Sequence, residues 1–344
     1  MSDRVRAGAP RDPKPLLIMG SPRSGTTFLS QMVNRFFDFH ISRDNGTLLR
    51  FHRLLRNYEP LADDANLRRL IRDLYQDHFF TSRIRQRGMG LSEDELFRRV
   101  RTRTYGGLIE AVFQANAEQH GKRHWGYKRA SFGRVKGNYV DDLFPEARFV
   151  HIIRDARDVV LSMRNTPKVL LERSWHFAAV DWVSHVETGR RIGRSLGPDR
   201  YLELRYETLM ADPVNTMLTI FEFAGSGPDG DTRAQKLRNE IGGLIKANNV
   251  EKWRRMMPSP ALRRVERVAG PLLGTLGYPV VDRDVAGQPV GRLELACLYV
   301  DRIARNLFTR NIPMMIRYRL EVFKALQRSR SRGAGQKPQP SSVQ

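Results

Sequence analysis

A glycine-rich loop near the start of the chain has the residue types and the spacing of a phosphate-binding loop. Residues 20–27, Gly-Ser-Pro-Arg-Ser-Gly-Thr-Thr, follow the apolar run Leu16–Met19 and precede apolar residues at helical spacing. A strand, a loop and a helix in this order offer phosphate the backbone N–H groups of the loop and the N-terminus of the helix. The spacing is that of the GxxxxGK(S/T) loop, but Thr26 occupies the position of the lysine that would reach a γ-phosphate. The loop therefore predicts a site for the 5′-phosphate of a nucleotide, with Arg23 projecting beyond it.

An arginine and a serine eight residues apart form a second candidate phosphate site. Arg154 follows the apolar run Phe149–Ile153, which predicts a strand, and Ser162 lies in the helix predicted after it. A guanidinium group and a hydroxyl group that converge can bind a phosphate monoester. Because the carboxyl ends of parallel strands meet at one edge of a sheet, we expect both phosphate sites at that edge. The sequence thus predicts two phosphate subsites for one nucleotide.

Together these motifs resemble those of the sulfotransferases that use 3′-phosphoadenosine 5′-phosphosulfate (PAPS). Residues 22–27 are similar to that family's 5′-phosphosulfate loop, in the arginine form of the protein-tyrosine and several bacterial branches. Residues 154–162 are similar to its 3′-phosphate motif, with Ala156 in place of the usual proline. The resemblance implies a P-loop-type α/β fold, and in-line transfer of a sulfuryl group from PAPS to a hydroxyl or amine of an acceptor. No metal is predicted, because the sulfuryl group carries less charge than a γ-phosphate and the chain lacks a clustered carboxylate and histidine ligand set. The resemblance also implies that the residues binding the donor are Arg23, Ser24, Gly25, Thr26, Thr27, Arg154, Ser162 and Tyr206.

Three further segments resemble the family less closely. Lys128 follows Tyr127 as the lysine that stabilises the transferring sulfuryl group does in some members, although Ala130 stands where a proline is usual. Residues 204–209 resemble the segment whose tyrosine, here Tyr206, lies near the adenosine; a packing tyrosine at a strand end is the alternative. Residues 251–254 resemble a Lys-Trp element that closes over the donor. The resemblance extends from Pro15 to Arg254.

Sulfuryl transfer requires cations near the oxygen atoms where charge develops, and a base for the acceptor hydroxyl. Arg23 and Lys128 are the predicted cations. Asp44 is the predicted base, because it falls where the arginine-type members carry their base, usually a glutamate. His124 and His40 are the alternative bases, and a surface ion pair is the alternative role for Asp44.

Apolar runs and helical periodicity alternate along the chain, which predicts a parallel sheet covered by helices on both faces. The predicted strands are Leu16–Met19, Trp125–Lys128, Phe149–Ile153 and Tyr201–Tyr206. We expect a flexible arm over residues 1–14, a single domain over 15–328 and a disordered tail over 329–344. Within the domain, residues 45–120 predict a helical insertion on the acceptor side, and residues 290–328 predict C-terminal helices.

The chain of 344 residues has 59 Lys and Arg against 37 Asp and Glu, a formal net charge of +22. A balance this basic indicates an anionic partner. Because the arginines are spread along the chain and not gathered with aromatic residues, nucleic acid is not the expected partner. The basic amphipathic segment Pro313–Arg328 predicts a helix that either docks on the domain's own core or makes peripheral contact with an anionic membrane.

Two features bear on the compartment. Cys297 is the single cysteine, which indicates a reducing compartment, and it is predicted to be a small buried hydrophobic residue. No apolar run approaches the length of about 20 residues that spans a bilayer. We therefore expect a cytoplasmic protein, either free or peripheral on the inner face of the membrane.

The sequence leaves the acceptor open among carbohydrate, lipid, protein-tyrosine and small-molecule hydroxyl groups. Two other functions compete with sulfuryl transfer. The first is a P-loop nucleotide or sugar kinase, which Thr26 at the lysine position disfavours. The second is a non-enzymatic basic protein that binds membrane or nucleic acid.

Overall fold

The computed structural model describes residues 13–43, 47–77, 80, 90–129, 143–166, 172, 174–225, 230–245 and 249–308, and residues 316, 320, 323–324 and 326–327. Several predictions fall outside these residues. They are the N-terminal arm up to residue 12, the base Asp44, the helix before Leu143, most of the segment Pro313–Arg328 and the tail.

Five short strands form one sheet in the order β2-β3-β1-β4-β5. Their bounds are β1 Leu16–Met19, β2 Phe39–Arg43, β3 His124–Arg129, β4 Arg148–Ile153 and β5 Tyr201–Arg205. β1 pairs in parallel with β3 and with β4, and β4 pairs in parallel with β5. Every residue of β1 and β4 is buried, as expected for short apolar runs covered on both faces. The predicted parallel α/β sheet is confirmed.

The edge strand β2 was not predicted. Its Phe39 and Ile41 are buried and alternate with half-buried His40, but this alternation is too short to distinguish a strand from the end of the preceding helix. Tertiary contacts define β2 instead. The Ile41 N–H donates to Asn34 Oδ1 at 2.6 Å, and a Cβ atom on Gly126 would lie 2.2 Å from Ile41 Cδ1. The absence of a side chain on the neighbouring strand makes room for β2.

Helices cover both faces of the sheet. Their bounds are α1 Thr26–Phe36, α2 Thr47–His52, α3 Asp64–Tyr75, α4 Glu93–Arg99, α5 Tyr105–Gln119, α6 Ala156–Arg164, α7 Trp175–Leu196, α8 Tyr206–Ala211, α9 Pro213–Ala224, α10 Gly230–Leu244, α11 Trp253–Met256, α12 Ser259–Thr275 and α13 Arg292–Phe308. Alternate residues of β4 point to opposite faces of the sheet. Val150 and Ile152 pack in a core with α1 and α9, while Ile153 packs in a second core with α6, α7 and α12.

The chain divides into two compact units. The described residues of the first unit lie in the ranges Met1–Ile41, His124–Gly137 and Glu146–Asn311, and those of the second lie in Ser42–Arg123, Asn138–Pro145 and Ile312–Gln344. The first unit carries β1, β3, β4, β5 and the two apolar cores.

The second unit contains the predicted helical insertion. From residue 47 to residue 119, the elements that the structure describes are α2 to α5 and one short 3₁₀ helix at Leu55–Asn57. Asp63 is the N-cap of α3, where its side chain accepts a hydrogen bond from the Ala65 N–H at 2.8 Å. Inside the unit, buried Arg50 pairs with buried Asp77.

The last long helix, α13, forms where helical periodicity predicts it, but its cysteine does not lie as predicted. Cys297 is exposed, because it falls on the outward face of α13. Within the described part of the chain, no helix is long and apolar enough to cross a membrane.

Candidate active site

The loop between β1 and α1 places the N-terminus of α1 beside a cavity, which Gly25, Thr26 and Thr27 help to line. Gly25 caps α1 with a φ of +96°, and the first turn of α1 carries no acidic residue. A Cβ atom on Gly25 would lie 2.5 Å from Cδ2 of Tyr206, so glycine satisfies both the backbone conformation and the packing at this position. The unpaired N–H groups of the first helical turn are therefore available to an anion.

Arg154 is buried at the carboxyl end of β4, where several acceptors hold its guanidinium group. Nη1 donates to the carbonyl oxygen of Arg23 at 3.3 Å, and Nη2 donates to Asp158 Oδ2 at 3.1 Å and to the carbonyl oxygen of Asn249 at 2.5 Å. The Nε atom is buried and makes no hydrogen bond within the described structure. These contacts orient the group while one donor stays unused.

The two motifs, 139 residues apart in the chain, touch each other. Arg23 Nε donates a hydrogen bond of 3.0 Å to Ser162 Oγ. Arg23 has a φ of 73°, a left-handed conformation that costs a residue other than glycine about 1 to 3 kcal/mol and is often found at functional sites. Partial burial of its guanidinium group, and then the positive charge of Arg154, lower the pKa of Arg23. Two arginines this close favour an anion between them.

Tyr206 forms one wall of the same site. The guanidinium carbon of Arg154 lies 4.5 Å from the centre of the Tyr206 ring, and Asn249 Nδ2 donates to the Tyr206 hydroxyl oxygen at 2.6 Å. Burial raises the pKa of Tyr206, so its hydroxyl group stays protonated. Sequence reasoning missed Asn249, because a single asparagine three residues before Lys252-Trp253 carries no signal of its own.

These groups surround a cavity of about 400 Å³. Its lining residues are Arg23, Gly25, Thr26, Thr27, Phe28, Gln31, Met32, Arg154, Tyr206, Met210, Leu244 and Asn249. The volume lies in the usual range for small-molecule sites, and the mixture of arginines, helix N–H groups and apolar walls fits a phosphorylated nucleotide. Ser24 Oγ and Arg154 Nε, both buried and without a partner in the described structure, are donors that such a ligand would satisfy.

Residues outside the sheet, Asp158, Trp182 and Trp253, support the position of Arg154. Asp158, on α6, accepts from Arg154 and also from the Trp253 N–H at 2.9 Å. Burial raises the pKa of Asp158, although the charge of Arg154 opposes the shift. The Trp182 Nε1–H donates to the carbonyl oxygen of Arg154 at 3.0 Å. Arg154 is thus fixed at both its backbone and its side chain.

A buried ion-pair network ties the same loop to α12. Arg157 is fully buried and donates to Asp155 Oδ2 at 2.6 Å and to Glu266 Oε1 at 2.7 Å. Its guanidinium carbon also lies 3.7 Å from the centre of the Trp253 ring. The hydrogen bonds and charges of both carboxylates raise the pKa of Arg157 against the opposing effect of burial, which is the largest single influence. This network was not predicted from the sequence.

The remaining predicted site residues have different positions. Lys128 pairs in register with Ile18 near the carboxyl end of β3, but it does not line the cavity. His124 begins β3 and therefore lies at the edge of the sheet opposite the phosphate loop. His40 is half-buried in β2, and Asp44 is outside the described residues. Within the described residues, no group of three or more His, Cys, Asp or Glu residues could hold a metal ion.

Comparison with known proteins identifies relatives of this chain. The sequence model of the sulfotransferase family matches residues 15–227. The protein-tyrosine sulfotransferase of Drosophila melanogaster is 27% identical over 174 residues, which cover 44% of this chain and 34% of that protein. Mouse carbohydrate sulfotransferase 5 is 25% identical over 336 residues, which cover 78% of this chain and 82% of that protein.

A solved structure shows the same fold. The sulfotransferase domain of the olefin synthase from Synechococcus PCC 7002 superimposes with a TM-score of 0.50 at 20% identity. The superposition covers 79% of this chain and 98% of that domain. The chain spans about a third of the length of the fly protein that it matches.

Proposed function

The chain belongs to the sulfotransferase family, and we propose that it transfers a sulfuryl group from PAPS to a hydroxyl group of an acceptor. The observation that carries the proposal is that the two motifs predicted to bind phosphate meet beside one cavity. The N-terminus of α1 and the pair Arg154 and Ser162 stand at the same edge of the sheet, joined by Arg23. A nucleotide with phosphate groups at both its 5′ and 3′ positions matches this arrangement.

The residues of the cavity would hold the two ends of the donor separately. The first-turn N–H groups of α1, with the hydroxyl groups of Ser24 and Thr26, would bind the 5′ end. Arg154 and Ser162 would bind the 3′-phosphate, and the Tyr206 ring would line the nucleoside. Since Arg23 already bonds Ser162, it lies between the two ends and can reach either one by rotation of its side chain.

PAPS supplies an activated sulfuryl group when it is bound. We propose that Arg23 and Lys128 stabilise the negative charge that develops around this group. Asp44 is the proposed base for the acceptor hydroxyl, because it stands where the arginine-type members that the chain resembles carry their base. His124 is disfavoured as the base, because it lies at the end of the sheet opposite the cavity.

The acceptor is proposed only as a hydroxyl compound. The names of the relatives describe one as acting on protein tyrosine and another as acting on carbohydrate, and these substrates share a hydroxyl group. The helical segment 45–120 is the proposed acceptor side, because the cavity in the first unit is lined by donor-type groups. Carbohydrate, lipid and small-molecule acceptors all satisfy the proposal.

Calorimetry with adenosine 3′,5′-bisphosphate, AMP, and ATP with Mg²⁺ tests the proposed donor. The bisphosphate should bind most tightly, and EDTA should change neither its affinity nor the transfer of labelled sulfate from PAPS to an acceptor mixture. Tighter binding of ATP with Mg²⁺, or loss of transfer on chelation, would favour a kinase.

A further inference from the structure

Helix α13 packs on the rest of the first unit through buried Leu298 and through two charged residues one turn before and after it. Glu294 pairs with Arg267 at 2.8 Å, and Arg302 pairs with Glu172 at 2.7 Å. The guanidinium carbon of Arg302 also lies 4.5 Å from the centre of the Phe177 ring. An amphipathic helix on the surface of a protein normally buries its apolar stripe and exposes its charges. Here the charged residues Glu294 and Arg302 face the protein.

The apolar stripe of α13 consequently faces outward. Leu293 is 86% exposed, Val300 67% and Ile303 57%, and Ala296 and Cys297 are exposed between them. Their spacing of three or four residues places all of them on one side of the helix. Isolated exposed apolar residues are ordinary, but a continuous stripe marks a surface that is covered by a partner.

The charge around the stripe indicates what kind of partner covers it. Residues 292–328 contain eight basic and three acidic residues. Glu294 is already paired with Arg267 and Arg302 with Glu172, which leaves seven basic and two acidic residues in the segment. The exposed apolar pattern also continues along the sequence at Ile316, Leu320 and Phe323, each more than half exposed. A second copy of the chain would bring a like-charged segment against this one, and that arrangement is repulsive, whereas an anionic surface is attracted.

We propose that the outward face of α13 docks on an anionic lipid surface. The apolar side chains would enter the boundary between headgroups and acyl chains, and basic residues of the segment 292–328 other than Arg302 would contact the headgroups. The proposal concerns a surface and not the cavity, so it holds or fails independently of the proposed sulfuryl transfer.

Cys297 allows a direct test, because it is exposed, lies on the stripe and is the only cysteine of the chain. An environment-sensitive fluorophore attached to Cys297 should shift its emission to shorter wavelength when phosphatidylglycerol vesicles are added. The shift should be smaller with phosphatidylcholine vesicles and should decrease at high salt. The matched control carries the same fluorophore on a Cys297→Ser, Val281→Cys variant, since Val281 is 58% exposed but lies outside α13.

A second measurement removes the stripe itself. The combined substitutions Leu293→Ser, Val300→Ser and Ile303→Ser should weaken co-sedimentation with phosphatidylglycerol vesicles by at least about tenfold. Val180→Ser, a change of an exposed residue on α7, should leave it unchanged. Because the three side chains are exposed and do not line the cavity, affinity for adenosine 3′,5′-bisphosphate should not change and serves as the check of folding.

Several outcomes would overturn the proposal. These are equal emission shifts at positions 297 and 281, binding that does not depend on anionic lipid, and co-sedimentation that survives the triple substitution. A dimer in solution that the triple substitution dissociates, in a protein that does not bind vesicles, would assign the stripe to a second copy instead.

Discussion

At the scale of single residues, Arg154 connects most of the candidate site. Its guanidinium group contacts the carbonyl oxygens of Arg23 and Asn249, the carboxylate of Asp158 and the ring of Tyr206. An arginine held at this many points loses little further conformational entropy when a ligand binds. We therefore expect Arg154 to contribute strongly to the recognition of a phosphate group.

Arg154→Ala should bring the affinities for adenosine 3′,5′-bisphosphate and for AMP close together. The loss of a charged hydrogen bond weakens binding by roughly tenfold to more than a hundredfold, and only the ligand with a 3′-phosphate should lose it. Calorimetry with both ligands measures the difference. Arg190→Ala is the control, because that arginine is partly exposed and pairs with Glu203 outside the cavity. An equal loss for both ligands would mean that Arg154 is structural.

Arg23→Ala should lower kcat by about 10²-fold or more and change donor affinity less, because the proposed contact is with charge that develops during transfer. Steady-state kinetics with labelled PAPS separates kcat from KM. Ser162→Ala is the companion variant, since it removes the hydroxyl group that Arg23 contacts at 3.0 Å but keeps the cation. An unchanged kcat in the Arg23 variant would remove this residue from the mechanism.

The contact between Asn249 and Tyr206 can be measured by a double-mutant cycle. Asn249→Ala and Tyr206→Phe each break the bond of 2.6 Å, and each should weaken binding of adenosine 3′,5′-bisphosphate by roughly two- to tenfold. The double variant should be no weaker than the worse single variant, because the same bond is lost. Tyr299→Phe, on α13, is the control. Fully additive losses would show that the two residues act separately.

At the scale of elements, α12 holds α6 in place through one buried carboxylate. Glu266 is fully buried and accepts hydrogen bonds from Arg157, from the Val281 N–H and from the Asp282 N–H. Since α6 carries Ser162 and Asp158, displacement of α12 would alter the phosphate site from behind. Because Arg157 and Glu266 are both buried, loss of either partner would leave the other charge without compensation.

Glu266→Ala should lower the free energy of unfolding by about 3 to 5 kcal/mol, because it leaves Arg157 with less compensation and two backbone N–H groups without an acceptor. Urea denaturation followed by circular dichroism measures this change. The exposed pair of Lys14 and Glu146 provides the comparison, and Glu146→Gln should have little effect. Equal effects of the two substitutions would contradict the role assigned to the buried network.

At the scale of the whole molecule, the site needs more of the chain than the family match covers. The match ends at residue 227, but Asn249 accepts from Arg154, Trp253 donates to Asp158 and Glu266 accepts from Arg157. The core between α6, α7 and α12 also takes Val265, Ala269 and Leu273 from beyond that limit.

A chain that ends at residue 227 should therefore neither unfold cooperatively nor bind adenosine 3′,5′-bisphosphate. The loss of α12 would expose the apolar faces of α6 and α7 that it covers. Thermal unfolding and calorimetry of this truncated chain test the expectation, with a chain that ends at residue 328 as the control that retains both properties. Nearly unchanged affinity in the shorter chain would show that the matched region is sufficient.

Local patterns were enough to predict much of the architecture. Continuous apolar runs identified β1 and β4, the alternation of Leu202 and Leu204 identified β5, and β3 was predicted as a short strand. Periodicity at Leu67, Leu70, Ile71 and Leu74 identified a helix in which all four are buried. The edge strand β2 was missed, because its burial comes from Asn34 and Gly126 and not from its own pattern. The long helix α7 was also not predicted.

The sequence by itself determined the two phosphate motifs, since each is a short contiguous segment whose loop, helix start and polar side chains are neighbours in the chain. Only the tertiary structure decided how they combine. The bonds of Arg23 to Ser162, Arg154 to Asn249 and Arg157 to Glu266 span 139, 95 and 109 residues. Periodicity likewise identified α13 but not the direction of its stripe. A hydrophobic period shows that one face of a helix differs from the other, whereas the partners in the folded chain determine which face is buried.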